Sequence, residues 1–428
     1  MTKPIDRRTF AAASAVLTAS AAASASPSNQ VRLGIIGTGN RGQQLITAFK
    51  PHADCKIVAA CDLDASYRNK AQELLGSDLE VCDDFRRLID RKDLDGIIVA
   101  TPDHWHAVMT IMACKAGKDV YVEKPLSATI QEGRAMVDAA RKNNRVVQVG
   151  LHRRSTVAYT KIAEVLRAGT IGKITVARAY RLSNMYPSGI GKDPDSPPPA
   201  GFNWDMWLGP RRQRPFNPTI APYKFRWWHE YSSQMGNWGV HYFDAIRWAM
   251  NVEAPTSVVA IGGKYAVDDN RDIPDTAEVV FELPTGGLLV FGQYEASNNP
   301  ALKWGEVEFR GTQGTMYTNE NGYEIIPETG GQFQDRKPRM KPSKYSSKEK
   351  NAEATEAHAR NFLDCVKSRQ LPHADVEIGH RSTIFAHLAN ISLATRSRLD
   401  WDSAKERITN NEEANKLLHY EYRKPWSL

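Results

Sequence analysis

A glycine turn set between an apolar strand and an amphipathic helix constrains this chain more than any other feature. Val31-Arg32-Leu33-Gly34-Ile35-Ile36 reads as a buried strand and runs into Gly37-Thr38-Gly39-Asn40-Arg41-Gly42, a GxGxxG, followed by an amphipathic segment from Gln43 to Phe49. That order is what a pyrophosphate site needs. Gly37 permits the tight turn, Gly39 lets the backbone approach the phosphates, and Gly42 lets the helix pack closely on the strand. The helix N-terminus then faces the anion, with Thr38, Asn40 and Arg41 beside it. A second strand, Ile57 to Cys61, ends at Asp62, 25 residues past Gly37, near the spacing at which a carboxylate grips a ribose diol. A 2′-phosphate would meet that negative charge, which favours NAD over NADP, although Arg68 stands nearby to moderate it.

The alternation continues. Asp95 to Ala100 is a strand ending at Thr101-Pro102, His106 to Ala116 a helix, Asp119 to Val122 a strand ending at Glu123-Lys124-Pro125, Ile130 to Asn143 a helix, and Val146 to Gly150 a strand. This pattern predicts a Rossmann domain over 31–150, a doubly wound parallel sheet with ligands at the carboxyl ends of its strands. Thr101, Pro102, Glu123 and Lys124 therefore belong on the ligand edge. After Gly150 the texture changes. A helix from Tyr159 to Ala168 and a strand from Lys173 to Leu182 precede an irregular stretch, Ser183 to Trp228, rich in Pro, Gly and Trp. A helix from about Asn237 to Met250 follows, then strands at Ser257–Tyr265, Ala277–Leu283, Leu288–Tyr294 and Glu306–Arg310, and closing helices at Thr355–Ser368 and Ile378–Arg396. Residues 151–428 thus read as an α+β domain on a large, mostly antiparallel open sheet, with Arg336 to Asn351 as a mobile loop.

Composition excludes several classes. Hydrophobic residues at 41% and charged residues at 25% of 428 are globular proportions. The net charge of +7 is spread along the chain, and the densest basic stretch, Arg336 to Lys350, lacks a matching array of stacking aromatics, so no nucleic-acid partner is expected. Five cysteines with no CxxC point to buried free thiols and to no metal site. Residues 1–25 stand apart. Lys3, Arg7 and Arg8 lead a weakly apolar Ala/Ser-rich run that ends at Ala23-Ser24-Ala25, a signal-peptidase pattern. Arg7-Arg8-Thr9-Phe10 matches a twin-arginine leader, which predicts delivery to the periplasm or beyond by the Tat machinery, already folded around its cofactor. With no run of 18 apolar residues after it, the mature chain is expected not to insert in a membrane.

Two segments carry the chemistry. Lys124, at a central strand end, would face the nicotinamide, where desolvation and the positive oxidised ring lower its pKa and fit it to shuttle a proton. In Gly236-Asn237-Trp238-Gly239-Val240-His241-Tyr242-Phe243-Asp244, helical spacing puts an amide, an imidazole and a carboxylate on one face. Asn237 and His241 are the candidate site residues there. Asp244 is read chiefly as a brace for the helix.

Taken together, the turn at 37–42, Asp62, Thr101-Pro102 with His104 and His106, Glu123-Lys124-Pro125 and the Gly239-Val240-His241 helix make the chain resemble the Gfo/Idh/MocA oxidoreductase family from about residue 31 to its end. The run Trp204 to Pro210 and the double-arginine leader look like an exported subgroup. The resemblance implies a bound nicotinamide cofactor, held tightly in such an exported protein, a sugar or polyol substrate, and dimers or tetramers formed through the open sheet. It also implies that Lys124 and His241 are the catalytic lysine and histidine. Many family dehydrogenases carry Asp where this chain has Asn237, and an amide cannot take up a proton or stabilise a charged imidazole. Arg153, Arg154, Tyr186, Arg226 and Trp228 are the further substrate candidates, and Trp204 and Trp207 are placed over the nicotinamide end of the cofactor. Three functions follow: a periplasmic sugar or polyol oxidoreductase; a redox-cycling, NAD-dependent glycosidase; or a cofactor-bound carbohydrate-binding protein without turnover.

Overall fold

The computed structural model describes residues 30–348 and 351–428; the leader at 1–25 lies outside the described residues. The first half alternates as its hydrophobic pattern requires: β1 (Val31–Ile36), α1 (Asn40–Phe49), β2 (Cys55–Cys61), α2 (Ala65–Leu75), β3 (Glu80–Cys82), α3 (Arg86–Ile89), β4 (Gly96–Val99), α4 (His106–Lys115), β5 (Asp119–Val122), α5 (Ile130–Lys142) and β6 (Val147–Val149). All six strands are parallel, in the order β3-β2-β1-β4-β5-β6. The order reverses between β1 and β4, and the carboxyl ends of those two strands flank the crevice such a sheet offers a ligand. Strands buried on both faces read as continuous apolar runs, and β4 and β5 are buried at every position. Helix starts follow local chemistry. Thr129 and Glu132 form a reciprocal capping box on α5, and Asp64 caps α2 through the Ser66 amide.

The second half comprises α6 (Val157–Arg167), β7 (Ile174–Asn184), α7 (Trp204–Leu208), α8 (Val240–Met250), β8 (Ser257–Gly263), β9 (Thr276–Leu283), β10 (Gly287–Tyr294), β11 (Ala296–Ser297), β12 (Val307–Gly311), β13 (Gly314–Asn319), β14 (Gly322–Pro327), β15 (Ser343–Ser346), α9 (Asn351–Ser368), α10 (Val376–Thr395), β16 (Leu399–Asp402) and β17 (Arg407–Ile408). Its eleven-stranded sheet is antiparallel except where β7 pairs with β10. One face packs on α6, α8 and α10 through Phe243, Phe281, Phe291 and Phe385; the other is open, and Ile261 on it is 72% exposed.

Three segments depart from the sequence expectations. Within the stretch expected as a loop, Arg336 to Asn351, Ser343–Ser346 pairs with β14 as an edge strand. Helix α9, although C-terminal, returns to the first sheet, where Phe362 and Leu363 pack with Phe49 and Tyr121. The helix expected from Asn237 begins at Val240 and is preceded by a π-helical turn, Met235–Gly239. A π turn adds a residue per revolution and so rotates Asn237 relative to α8. All five cysteines are free thiols, four of them buried. No helix among the described residues is long and apolar enough to cross a membrane.

Candidate active site

The glycine turn closes as its spacing demands. Gly37 has φ +88°, and a Cβ there would meet the Ala100 carbonyl oxygen at 2.6 Å. A Cβ on Gly42 would meet the Gly37 carbonyl oxygen at 2.1 Å, so the third glycine is fixed by helix–strand contact. No side chain caps the start of α1 at Gly39, which leaves first-turn amides aimed at a groove. That groove is lined by Gly37, Gly39, Asn40, Arg41, Asp62, Thr101, Pro102 and Arg226, and by Phe202, Met206 and Trp207 from the second half of the chain. Asp62 is anchored by the Thr38 amide at 2.7 Å and the Asp64 amide at 3.0 Å; burial pushes its pKa up while these amides pull it down. The Thr101 hydroxyl is buried without a hydrogen-bond partner at the groove's edge. Uncapped amides, a carboxylate at the end of β2 and a backbone cradle that any Cβ would fill are the donor set a dinucleotide requires, and these residues fit NAD.

A chamber of about 480 Å³ adjoins the groove and shares Asn40, Arg41, Thr101 and Arg226 with it. Its size falls in the range of about 300–1,000 Å³ typical of small-molecule sites. Lys124, Asn237 and His241 all line it. The Lys124 amine donates to the Asn237 carbonyl at 2.8 Å and to its side-chain oxygen at 3.1 Å. Burial lowers the Lys124 pKa to about 8, against the attraction of Glu123 and Asp103 and with help from Arg226 and Arg41. His241 is pushed well below its ordinary value, first by burial and then by Lys124, Arg153 and His152, so its ring is neutral near pH 7. Glu123 is buried and receives Arg41 Nε at 2.8 Å, which fixes the loop that carries Lys124.

The sequence reading missed several chamber residues. The ring of His152 lies 5.5 Å from that of His241, and its Nδ1 has no hydrogen-bond partner. Arg181 stacks on Trp238 at 3.8 Å. Buried Glu295 accepts from Trp227, Gln234 and the fully buried Arg271. Only the topology brings these together. The alternating pattern of β7 marks Arg181 as one face of a strand, but nothing in it says which.

Other sequence candidates lie elsewhere. Arg153 is buried against Glu306 and Glu320, with Tyr159 and Tyr242 under its guanidinium. Arg154 pairs with Asp244, which also accepts from Ser382. In the turn His152–Ser155 the imidazole faces the chamber and the two arginines face the second domain's core, so neither arginine lines the chamber, and Asp244 ties Arg154 to α8. Tyr186 is 62% exposed and lines neither the groove nor the chamber. Trp228 donates to the Thr219 carbonyl beneath Arg214, and its neighbour Trp227 takes the chamber position. Trp204 stacks behind Trp207 at 4.8 Å, and Trp207 alone of that pair lines the groove, in the same cavity as Asp62 and Leu63; neither tryptophan lines the Lys124 chamber, so neither sits over the nicotinamide end as expected. His104 and His106 are braces. His104 Nε2 bonds the Trp207 carbonyl, and His106 bridges the carbonyls of Thr101 and Pro125 at 2.9 and 2.8 Å.

A doubly wound sheet whose switch-point crevice opens on a chamber with an amine and an imidazole defines a class: two-domain proteins that bind a dinucleotide beside a second ligand. Comparison with known families narrows it. Residues 31–151 match the oxidoreductase family's NAD-binding Rossmann fold, and residues 156–428 match its C-terminal alpha/beta domain. The chain belongs to the Gfo/Idh/MocA oxidoreductase family. It is 37% identical to levoglucosan dehydrogenase of Pseudarthrobacter phenanthrenivorans over 257 residues, 55% of this chain and 58% of that protein. It is 32% identical to inositol 2-dehydrogenase of Gluconacetobacter diazotrophicus over 149 residues, 34% of this chain and 44% of that one. A glycosyl hydrolase family 109 protein of Saccharopolyspora erythraea is 37% identical over 123 residues, 27% of each chain. These matches thus span between 27% and 58% of the curated relatives' lengths. The fold is shared with a solved levoglucosan dehydrogenase in complex with NADH and levoglucosan, at TM-score 0.65 and 20% identity over 87% of this chain and 99% of that one.

Proposed function

We propose that this chain is an exported, NAD-dependent oxidoreductase acting on a CH–OH group of a sugar, polyol or sugar derivative. The observation that carries this reading is the Lys124 amine, held by Asn237 within a chamber that also holds His241 and shares its wall with the dinucleotide groove. A bound nicotinamide supplies hydride exchange at the substrate carbon. Lys124, with its proton affinity lowered toward neutrality, takes the hydroxyl proton. Asn237 orients that amine. His241, kept neutral by burial, orients the hydroxyl by hydrogen bonding and does not act as a cationic acid; an Asp in place of Asn237 would favour the charged ring. His152, Arg181 and Arg226 offer donors to the remaining hydroxyls, and Trp227 an apolar face. Asp62 favours NAD over NADP. The names of the levoglucosan and inositol dehydrogenases support the substrate class. The test is to denature the purified protein, identify the nucleotide released, and screen carbohydrates by absorbance and by product analysis. Turnover that survives Lys124→Met defeats the mechanism.

Asn237, together with the likeness to a glycosyl hydrolase family 109 protein, supports a second reading. In it a ring hydroxyl is oxidised transiently, the aglycone is eliminated, water adds and the ring is reduced again. Release of a glycoside's leaving group without net NADH distinguishes it. Export through the twin-arginine route is part of the proposal, tested by loss of the periplasmic fraction on Arg7→Lys with Arg8→Lys. A second copy of the chain is the proposed partner, on the open face bearing Val259, Ile261 and Leu288, with light scattering as its measurement.

A further inference from the structure

Behind the chamber lies a second cavity of about 460 Å³ that the proposed reaction does not use. The two share Asp103 and are otherwise lined by adjacent residues of the same segments. Lys124 and Asn237 face the chamber, whereas their chain neighbours Pro125 and Gly236 face the rear cavity. Asp103 faces both. It is 7% exposed, and its carboxylate accepts a hydrogen bond from Ser232, which lines the rear cavity. Farther back stand His387, whose Nε2 has no hydrogen-bond partner, and exposed His229. The cavity reaches solvent at Arg212, whose side chain is 78% exposed, and at Leu417, 45% exposed.

We infer that Asp103 and Ser232 form a rear proton path that connects the Lys124 amine with solvent through this second cavity. The path rests on the oxidoreductase reading above. Oxidation of an alcohol removes a hydride from carbon, which a nicotinamide held in the groove would accept, and a proton from oxygen, which goes to neutral Lys124 as the C=O bond forms. The resulting ammonium must lose that proton before another turnover, at a time when substrate and dinucleotide fill the front of the site. The Lys124 amine bonds Asn237 and makes no ion pair with Asp103, so its proton crosses the chamber that both line on an intervening water; its arrival at the Asp103 carboxylate restores the amine and leaves a carboxylic acid. That acid passes its proton to the Ser232 hydroxyl as the hydroxyl's own proton moves into the rear cavity. The balance is one proton delivered to solvent per hydride transferred, with no reactant beyond the nicotinamide. Reduction runs the same path inward.

The charged surroundings suit this role. Asp103 is faced by His106 from α4, by Lys124 from the end of β5 and by Arg226 from the 183–228 stretch, with Ser232 from the segment before the π turn. Burial raises the Asp103 pKa and lowers that of Lys124, so the two proton affinities approach each other and transfer between them becomes less uphill. Asp103 is therefore a positioning and relay residue, acting on substrate only through Lys124.

The test compares Asp103→Asn, Asp103→Glu and Ser232→Ala in the exported protein with its retained nucleotide. Asp103→Asn should lower kcat by about 10- to 100-fold with KM within about twofold, less than the roughly 10²–10⁴-fold of a lost acid–base group that touches substrate, because Asp103 acts through Lys124. Millimolar formate or imidazole should restore turnover by entering the rear cavity, and Asp103→Glu should restore it without them. Ser232→Ala, which removes one hydroxyl, carries the same expectation at smaller amplitude if the Asn variant fails to fold. A readout free of turnover is the Lys124 titration followed by NMR of labelled lysine, whose midpoint should fall below its wild-type value when the Asp103 charge is removed. A wild type that oxidises no carbohydrate overturns the function proposed above, and the path with it. A wild type that turns over beside variants of equal kcat, or beside variants whose loss small acids do not restore, overturns the path alone.

Discussion

The groove under Gly37 and the chamber around Lys124 touch at Thr101 and Arg226, yet they are assembled in different ways. The groove is made chiefly of backbone and of short loops after β1, β2 and β4, and most of its dinucleotide-facing groups fall between residues 37 and 102. The chamber is made of side chains from separated elements, among them Lys124, His152, Arg181, Trp227, His241 and Glu295. Phosphates are bound by amides at a helix start, so a spacing of glycines suffices to mark them. Sugar hydroxyls are bound by side chains whose convergence depends on how two domains meet. Changes that abolish one function and spare the other test whether this division is real.

The largest effect is expected from Lys124→Met. It should lower kcat by about 10³–10⁴-fold, the upper part of the acid–base range, while the purified protein still releases one nucleotide per chain on denaturation. Loss of nucleotide together with activity would mean that the two regions are not separable.

Next is Arg154→Ala, which strips a partner from buried Asp244; their side chains are 7% and 2% exposed. Breaking such a pair costs about 3–5 kcal/mol. Chemical denaturation should show that loss, and the protein that remains folded should keep its KM, because neither residue lines the chamber. A raised KM with unchanged stability would return Arg154 to the substrate site. Gly42→Val attacks the other region. The Cβ contact at 2.1 Å forces the helix off the strand, at about 1–3 kcal/mol for overpacking, and nucleotide retention should be lost before the fold is.

The acid–base balance gives a tenfold effect per pH unit. Oxidation needs the free Lys124 amine, so its rate should rise with pH and level off above about 8. Reduction needs the ammonium and should show the opposite slope. His241, kept neutral, should add no inflection between pH 6 and 8. An extra step near 6.5 in the kcat profile would show a charged imidazole in the reaction.

Much of the first domain was legible because buried parallel strands, glycine turns and amphipathic helices each write a local pattern. Lys124 and Asp62 could be placed from their positions at strand ends alone. The pair Arg153-Arg154 could not, since a 3₁₀ turn sends His152 one way and both arginines another, and no periodicity precedes it. Trp227 and Trp228 differ by one position in a similar turn, and only tertiary packing decides which faces the chamber. Asn237 was read on an α-helix, and the π turn removed Asp244 from its face. The long 183–228 stretch has few regular hydrogen bonds of its own. It is held by an aromatic cluster of Trp204, Trp207, Phe216, Phe225 and Tyr231, which has no periodic signature.

The smallest effect concerns a contact between the chain's last residues and the groove. Arg423 donates to the carbonyls of Asp205 and Gly209, and Trp426 packs edge-on against Trp105 at 4.8 Å and beside Phe85 at 6.0 Å. Trp105 and Phe85 line the groove, and Asp205 lies on α7, which supplies Met206 and Trp207 to it. The tail therefore ties one wall of the nucleotide site to the other. An aromatic contact of this kind contributes about 0.5–1.5 kcal/mol. Trp426→Ala should accordingly speed nucleotide release by about two- to thirteenfold, at that energy converted by RT, and leave kcat at saturating nucleotide unchanged. Stopped-flow displacement of the bound dinucleotide measures the rate. A change in kcat without a change in release would mean that the tail acts on the chamber and that the boundary between the two regions lies elsewhere.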